Sequence, residues 1–327
     1  MIQVNKPFLP PVSEYTDYVN EIWDRVFLTN NGPLVQELEQ NVKNFLDVNY
    51  FSYLNNGTIA IQFALKALDV KGEVITTPFS YVATTSSLVW ENCIPVFADI
   101  DPHTWNIDPN EIVKQITPQT TAILATHVFG NPCDIEAINK IAEEHNLKVI
   151  YDGAHCFGTS YKGSSVYNYG DATTASFHAT KIFHTIEGGA VLSPHKEVID
   201  KVNYYRNFGH DGPFKFATVG INGKNSEFHA AMGLVNLKYI DQILEKYKAN
   251  YFFYKEKLKN SGLVFQTIQP NSSPNFSYFP VLFPSETSAT FKSSPRAISS
   301  RQSRSTFQTS AFRCCVTTAG TPTRCVV

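Results

Sequence analysis

The 327-residue chain has no excess of charge of one sign: 27 Lys and Arg stand against 29 Asp and Glu, a formal −2. That balance argues against a protein that grips nucleic acid or an anionic membrane through bulk charge. Long apolar runs are also missing. None approaches 18 residues, and the start MIQVNKPFLP has no basic-then-apolar leader. Membrane-spanning and secreted readings lose their support. The six cysteines form no spaced framework. A chain this long needs no covalent staples, and reduced thiols in a cytoplasm are the expectation. No internal repeat is present. No G-x-G-x-x-G or G-x-x-x-x-G-K-[ST] occurs, so dinucleotide and P-loop chemistry are unsupported. What is there is globular: 43% hydrophobic and 17% charged, enough for one large or two ordinary domains.

These averages hide a seam. Residues 285–327 hold six basic residues and one acidic, a net +5, leaving 21 basic and 28 acidic, a net −7, before them. The same 43 residues contain 17 Ser or Thr and five of the seven Arg, with no Leu, Tyr, Trp, Asp or Asn. Too little apolar surface is available there to offset the entropy of ordering. The expectation is a disordered tail whose abrupt change of composition resembles translation in a shifted frame. The organisation read from the chain is a large domain over 1–225, a linking helix and the start of a small domain over 226–284, and the tail over 285–327.

Before the seam, strands and helices alternate. Residues 35–46 have a helical apolar spacing, with Gly32-Pro33 at its start. Strands are expected at 73–77, 94–100, 122–128, 148–152, 172–177 and 189–193, with helices at 58–68, 81–91, 110–115 and 135–145. The pattern predicts an α/β fold with a mostly parallel central sheet flanked by helices, which binds ligands beyond the carboxyl ends of its strands. A long helix is expected over 226–259 with Ser226 as N-cap, followed by a turn and strand over 272–284.

Asn55-Asn56-Gly57-Thr58 follows an extended segment and opens a helix. A glycine there lets an anion approach free N–H groups, and an ordinary capping turn explains the same residues. Asp152 ends the apolar run Val149-Ile150-Tyr151, on the ligand edge of a parallel sheet, with His155 three residues on. Lys181 lies between an apolar strand and Gly188-Gly189, in Ser176-Phe177-His178-Ala179-Thr180-Lys181. Burial favours a neutral amine, which can condense with a carbonyl ligand. A solvated loop lysine fits the spacing equally well. His178 and His184 flank Lys181, and no carboxylate or Cys completes a metal set at usual spacing.

Taken in order, Asn55-Asn56-Gly57-Thr58, the stretches 77–84, 151–158 and 176–181 with Glu187-Gly188-Gly189-Ala190, and 220–233 resemble the DegT/DnrJ/EryC1/StrS family of sugar-nucleotide aminotransferases. The resemblance spans about 7–284. It implies a fold-type I pyridoxal 5'-phosphate enzyme with an incomplete small domain. Lys181 is then the cofactor-binding lysine, Asp152 the carboxylate facing the pyridine nitrogen, and His155 a neighbour of the ring hydroxyl. Tyr81 stacks on the ring, and Gly57, Thr58 and Ser176 cradle the phosphate. Asn222 or Lys224 reaches the phosphate of a neighbouring subunit, so the expected assembly is a homodimer with shared sites. The implied reaction passes nitrogen from L-glutamate to a nucleotide-linked keto sugar, a dTDP-linked 3-keto or 4-keto-6-deoxyhexose, for surface polysaccharide or lipopolysaccharide assembly. Two alternatives remain open: an inactive or regulatory cofactor-binding remnant, and a sugar dehydratase, against which the presence of Lys181 argues.

Overall fold

The computed structural model describes residues 6–283, 314–318 and 321–324. The chain enters through α1 (Val12–Arg25) and α2 (Pro33–Leu46), then β1 (Tyr50–Leu54), α3 (Gly57–Ala67), β2 (Glu73–Thr76), α4 (Val82–Trp90) and β3 (Ile94–Phe97). It continues through α5 (Pro109–Gln115), β4 (Thr120–Thr126), α6 (Ile135–His145) and β5 (Lys148–Asp152), the small hairpin β6 (Ser160–Tyr161) and β7 (Ser164–Ser165), then β8 (Ala172–Ser176), β9 (Gly189–Ser193) and α7 (Lys196–Tyr205). Next come α8 (Glu227–Leu237), α9 (Ile240–Leu258), β10 (Val264–Phe265), β11 (Ser272–Ser273) and β12 (Phe279–Leu282). Within 285–327, Cys314–Thr318 (β13) and Thr321–Arg324 (β14) form antiparallel strands, β13 against β12 and β14 against β13. The rest of the expected tail lies outside the described residues.

The central sheet has seven strands in the order β1-β9-β8-β5-β4-β2-β3. Pairings from β8 through β5, β4 and β2 to β3 are parallel, and β9 runs antiparallel to both its neighbours. Successive side chains of a strand point to opposite faces. Ala122 and Leu124 of β4 therefore pack with α3 and α7 through Ile61, Leu65 and Val202. Ile123 and Ala125 pack on the other face with Leu38, Ile138 and Leu234 from α2, α6 and α8. This two-sided burial is why the strands read as continuous apolar runs.

Local chemistry sets the helix starts. The Asn56 side chain accepts from the Ile59 N–H at 2.9 Å and caps α3, and Asp134 accepts from the Ala137 N–H at 3.1 Å and caps α6. Pro33 sits at the first position of α2, where its missing N–H costs nothing. The free N–H groups of Leu34 and Val35 donate to the Glu227 carboxylate at 2.9 and 3.0 Å. Glu227 opens α8 and is only 1% exposed, so one buried anion caps a helix remote in sequence. Glu227→Ala is expected to cost about 2–3 kcal/mol, because two buried donors lose a charged acceptor. Urea denaturation should show a lower midpoint with an unchanged slope.

The single helix expected over 226–259 is two. The ladder tightens after Leu237, with Lys238 N–H bonding Val235 O at 3.2 Å and Tyr239 N–H bonding Asn236 O at 3.1 Å. Side chains hold the break: the Asn236 amide donates to His184 O at 2.8 Å, and both Lys238 and the Tyr239 hydroxyl donate to Glu14. Ser226 occupies the N-cap position of α8 without a side-chain cap bond, its hydroxyl pairing with His229 Nδ1 instead. α9, β10 and β12 form a separate apolar cluster around Tyr251, Phe279 and Val281.

Candidate active site

Four strand and helix ends meet beyond the carboxyl edge of the parallel sheet. Asp152 is the last residue of β5 and 6% exposed. Thr84 Oγ1, one turn into α4, donates to its Oδ2 at 2.7 Å, and the Ala154 N–H donates to its Oδ1 at 3.1 Å. Among the described residues no cation lies within ion-pair distance of this carboxylate. Its negative charge is held by two neutral donors and remains available to a positive ligand.

Lys181 lies in the loop from β8 to β9, where its N–H donates to His178 O at 2.9 Å. Burial draws its ammonium below the ordinary lysine range, and the negative Asp152 offsets part of that shift. His155 faces Phe129 with parallel rings at 6.3 Å and meets Tyr278 at 4.4 Å. Burial, helped by the positive Lys181, holds its pKa well below the ordinary value, so the imidazole is neutral at physiological pH. Its Nδ1 is buried and finds no hydrogen-bond partner among the described residues.

Ser176 ends β8 against the start of α3. A Cβ added at Gly57 would lie 3.0 Å from Ser176 Cβ, so glycine is what allows this approach. Thr58 is exposed in the first turn of α3. Three of the expected residues, His155, Ser176 and Lys181, line one cleft with Ala154, Tyr247 and Tyr278.

The others stand nearby. Tyr81 lies immediately before α4, one turn ahead of Thr84, and is 77% exposed, not part of the cleft wall. Asn222 is exposed and bridges Asn207, while Lys224 Nζ donates to Asn207 Oδ1 at 2.9 Å and lies 4.6 Å from the Phe208 ring. Between them, Gly223 O accepts from the Asn55 N–H at 3.0 Å, fixing this loop beside the entry to α3.

Several cleft residues escaped the sequence reading. Thr84 is in the 77–84 stretch, yet only the fold brings it to Asp152. Tyr247, Ser277 and Tyr278 come from α9 and the run into β12, 66 or more residues past Lys181 in sequence. A set of buried amides ties that run to the sheet. Asn275 donates to His155 O at 2.8 Å and Phe157 O at 2.9 Å. Asn131 donates to Thr267 O at 2.9 Å and accepts from Gln269 N–H at 2.8 Å. Asn106 accepts from Val128 N–H at 2.9 Å and donates to Pro132 O at 2.9 Å. Phe129, in the loop so held, has φ +58°, an uncommon backbone for a bulky residue.

The arrangement fits pyridoxal phosphate on its own terms. A lysine with a depressed pKa, a buried carboxylate without a counter-ion, and a helix start opened by a glycine that a Cβ would crowd supply an amine, an anion and an anion-binding terminus.

Comparison with known proteins agrees with this geometry. The model of the DegT/DnrJ/EryC1/StrS aminotransferase family matches residues 12–309, running 25 residues beyond Pro284, where the sequence reading ended the resemblance. The chain belongs to that family, and is a pyridoxal-phosphate-dependent aminotransferase. It is 48% identical to a Shigella dysenteriae protein named dTDP-4-amino-4,6-dideoxy-D-glucose transaminase, covering 87% of this chain and 78% of that one. An Escherichia coli protein of the same name is 42% identical, over 86% of this chain and 76% of its own. Among solved structures, DesI in the presence of its TDP-sugar product matches with a TM-score of 0.83 at 33% identity, covering 88% of this chain and 73% of that one. Among the described residues, no helix is long and apolar enough to cross a membrane.

Proposed function

We propose that the chain transfers an amino group from L-glutamate to C4 of a dTDP-linked 4-keto-6-deoxyhexose. The observation that carries this reading is the 48% identity to a relative named for the 4-amino-4,6-dideoxy sugar. A transaminase running toward that product starts from a ketone at C4 of a 6-deoxy sugar. This favours C4 over C3, a choice left open by the sequence.

Bound pyridoxal phosphate supplies a carbonyl that condenses with amines and a protonated ring that withdraws electrons. Lys181, whose pKa burial draws below the ordinary lysine range, would hold the cofactor and move the proton at the α-carbon of glutamate. Asp152 would keep a proton on the ring nitrogen, and Thr84 and the Ala154 N–H hold its carboxylate oriented. By the family resemblance His155 would lie beside the ring hydroxyl, and Tyr81, exposed just before α4, would have to turn inward to pack on the ring. Gly57, Thr58 and Ser176 would take the phosphate at the start of α3. Asn222 or Lys224 serves the phosphate of a second subunit. The loop leading to them carries Phe214, Phe216 and Val219 largely exposed, an apolar surface suited to burial against another copy. The active unit is then a homodimer with shared sites. Sedimentation of the cofactor-loaded protein should show a dimer at assay concentration; an active monomer would remove the shared-site assignment.

The test of the reaction is incubation of loaded protein with L-glutamate and dTDP-4-keto-6-deoxy-D-glucose. A dTDP-linked 4-amino sugar and 2-oxoglutarate are expected in equal amounts. A visible band that ignores glutamate would instead identify a binding remnant.

A further inference from the structure

Ser277 lines the cleft beside Lys181, on the wall that runs into β12. It is only 6% exposed, and its hydroxyl has no hydrogen-bond partner among the described residues. Buried polar groups are nearly always paired, so an orphaned hydroxyl in a ligand cleft marks where a ligand atom completes the pair. The backbone around it is fixed. The Ser277 N–H donates to Asn275 Oδ1 at 3.0 Å, while the Asn275 amide donates to the carbonyls of His155 and Phe157. The Ser277 backbone is therefore held against the segment that carries His155. Around it stand the rings of Tyr247, Tyr278 and Phe157, with Lys181 the one cation among the lining residues.

That setting selects the ligand group. A carboxylate placed at Ser277 would lack a free cation to pair with, because Lys181, the one cation lining the cleft, is assigned to the cofactor. A neutral hydroxyl on an apolar ring suits aromatic walls with a single hydroxyl partner. We infer that Ser277 binds a hydroxyl of the hexose, and that this contact belongs to the sugar half-reaction alone. The inference rests on the proposed sugar-nucleotide reading.

The test compares wild type with Ser277→Ala, both loaded with pyridoxal phosphate, in three measurements. Calorimetric titration with dTDP-4-amino-4,6-dideoxy-D-glucose should show binding weakened about tenfold, the scale of one neutral hydrogen bond. Titration with dTDP alone should be unchanged. The glutamate half-reaction, followed by the visible absorbance change, should also be unchanged. The thermal midpoint should hold or rise, since alanine removes an unpaired buried hydroxyl. Equal sugar binding by both proteins would overturn the inference while leaving the proposed function standing. So would an equal loss for dTDP alone, or a fall in midpoint accompanied by loss of the glutamate reaction. A wild type that turns over glutamate but binds no dTDP sugar would overturn the proposed function and this contact together.

Discussion

Lys181→Ala is expected to abolish covalent cofactor attachment and to lower turnover by about four orders of magnitude or more, since no other group supplies the primary amine. Borohydride reduction of wild type followed by peptide mapping should place the label on Lys181, and the variant should carry none. A label on another lysine would overturn the assignment. Stability gives an independent check. Folding lowers the Lys181 pKa, so the charged form opposes folding. That penalty is fully present below the depressed folded value and fades as pH rises toward 10.5, the ordinary lysine value. At neutral pH the alanine variant should therefore be at least as stable as wild type without cofactor, and wild type should gain stability through the alkaline range where the variant does not. Urea midpoints at a series of pH values measure both.

Asp152→Asn is the second large effect. The amide keeps the shape of the carboxylate, and its oxygen can still accept from Thr84, but the charge is gone. Without an anion the ring nitrogen of the cofactor is harder to keep protonated. Cofactor content should stay near wild type, while turnover falls by about three orders of magnitude or more. Thr84→Val should act in the same direction and more weakly, because it removes one donor and leaves the charge. Near-normal turnover in Asp152→Asn would show that the carboxylate does not face the ring nitrogen.

The parts of the molecule legible in the sequence are those fixed by local pattern. Strand β5 and helix α6 have the bounds expected for them, because their apolar runs are framed by Asp134, Asn146 and Asp152. Gly57 and Ser176 drew notice as a helix start and a strand end, and Lys181 by lying in the loop that follows β8, where ligand edges form. α1 and α7 were missed: α1 buries only Ile22, and α7 buries a short stripe of Val198, Ile199 and Val202 between polar residues. The break after Leu237 was invisible because it depends on Asn236 meeting His184 and on Glu14 meeting Lys238, contacts between residues far apart in the chain. Thr84, Ser277 and Tyr278 were out of reach for the same reason. Their side chains acquire meaning only from what tertiary packing sets beside them.

The amides of Asn131 and Asn275 bear on how a substrate gets in. They bond the 267–275 stretch to the loops that carry Phe129 and His155. A hinge swinging this wall away from the sheet would have to strip several sealed amide bonds at once, each expensive to leave unmade. Tyr278 stands on this wall with its ring 4.4 Å from His155 and 5.6 Å from Phe129, so the seam also holds the aromatic lining of the cleft in place. A wall fixed in this way admits a ligand by fitting it and not by closing on it, so its shape is set before the ligand arrives.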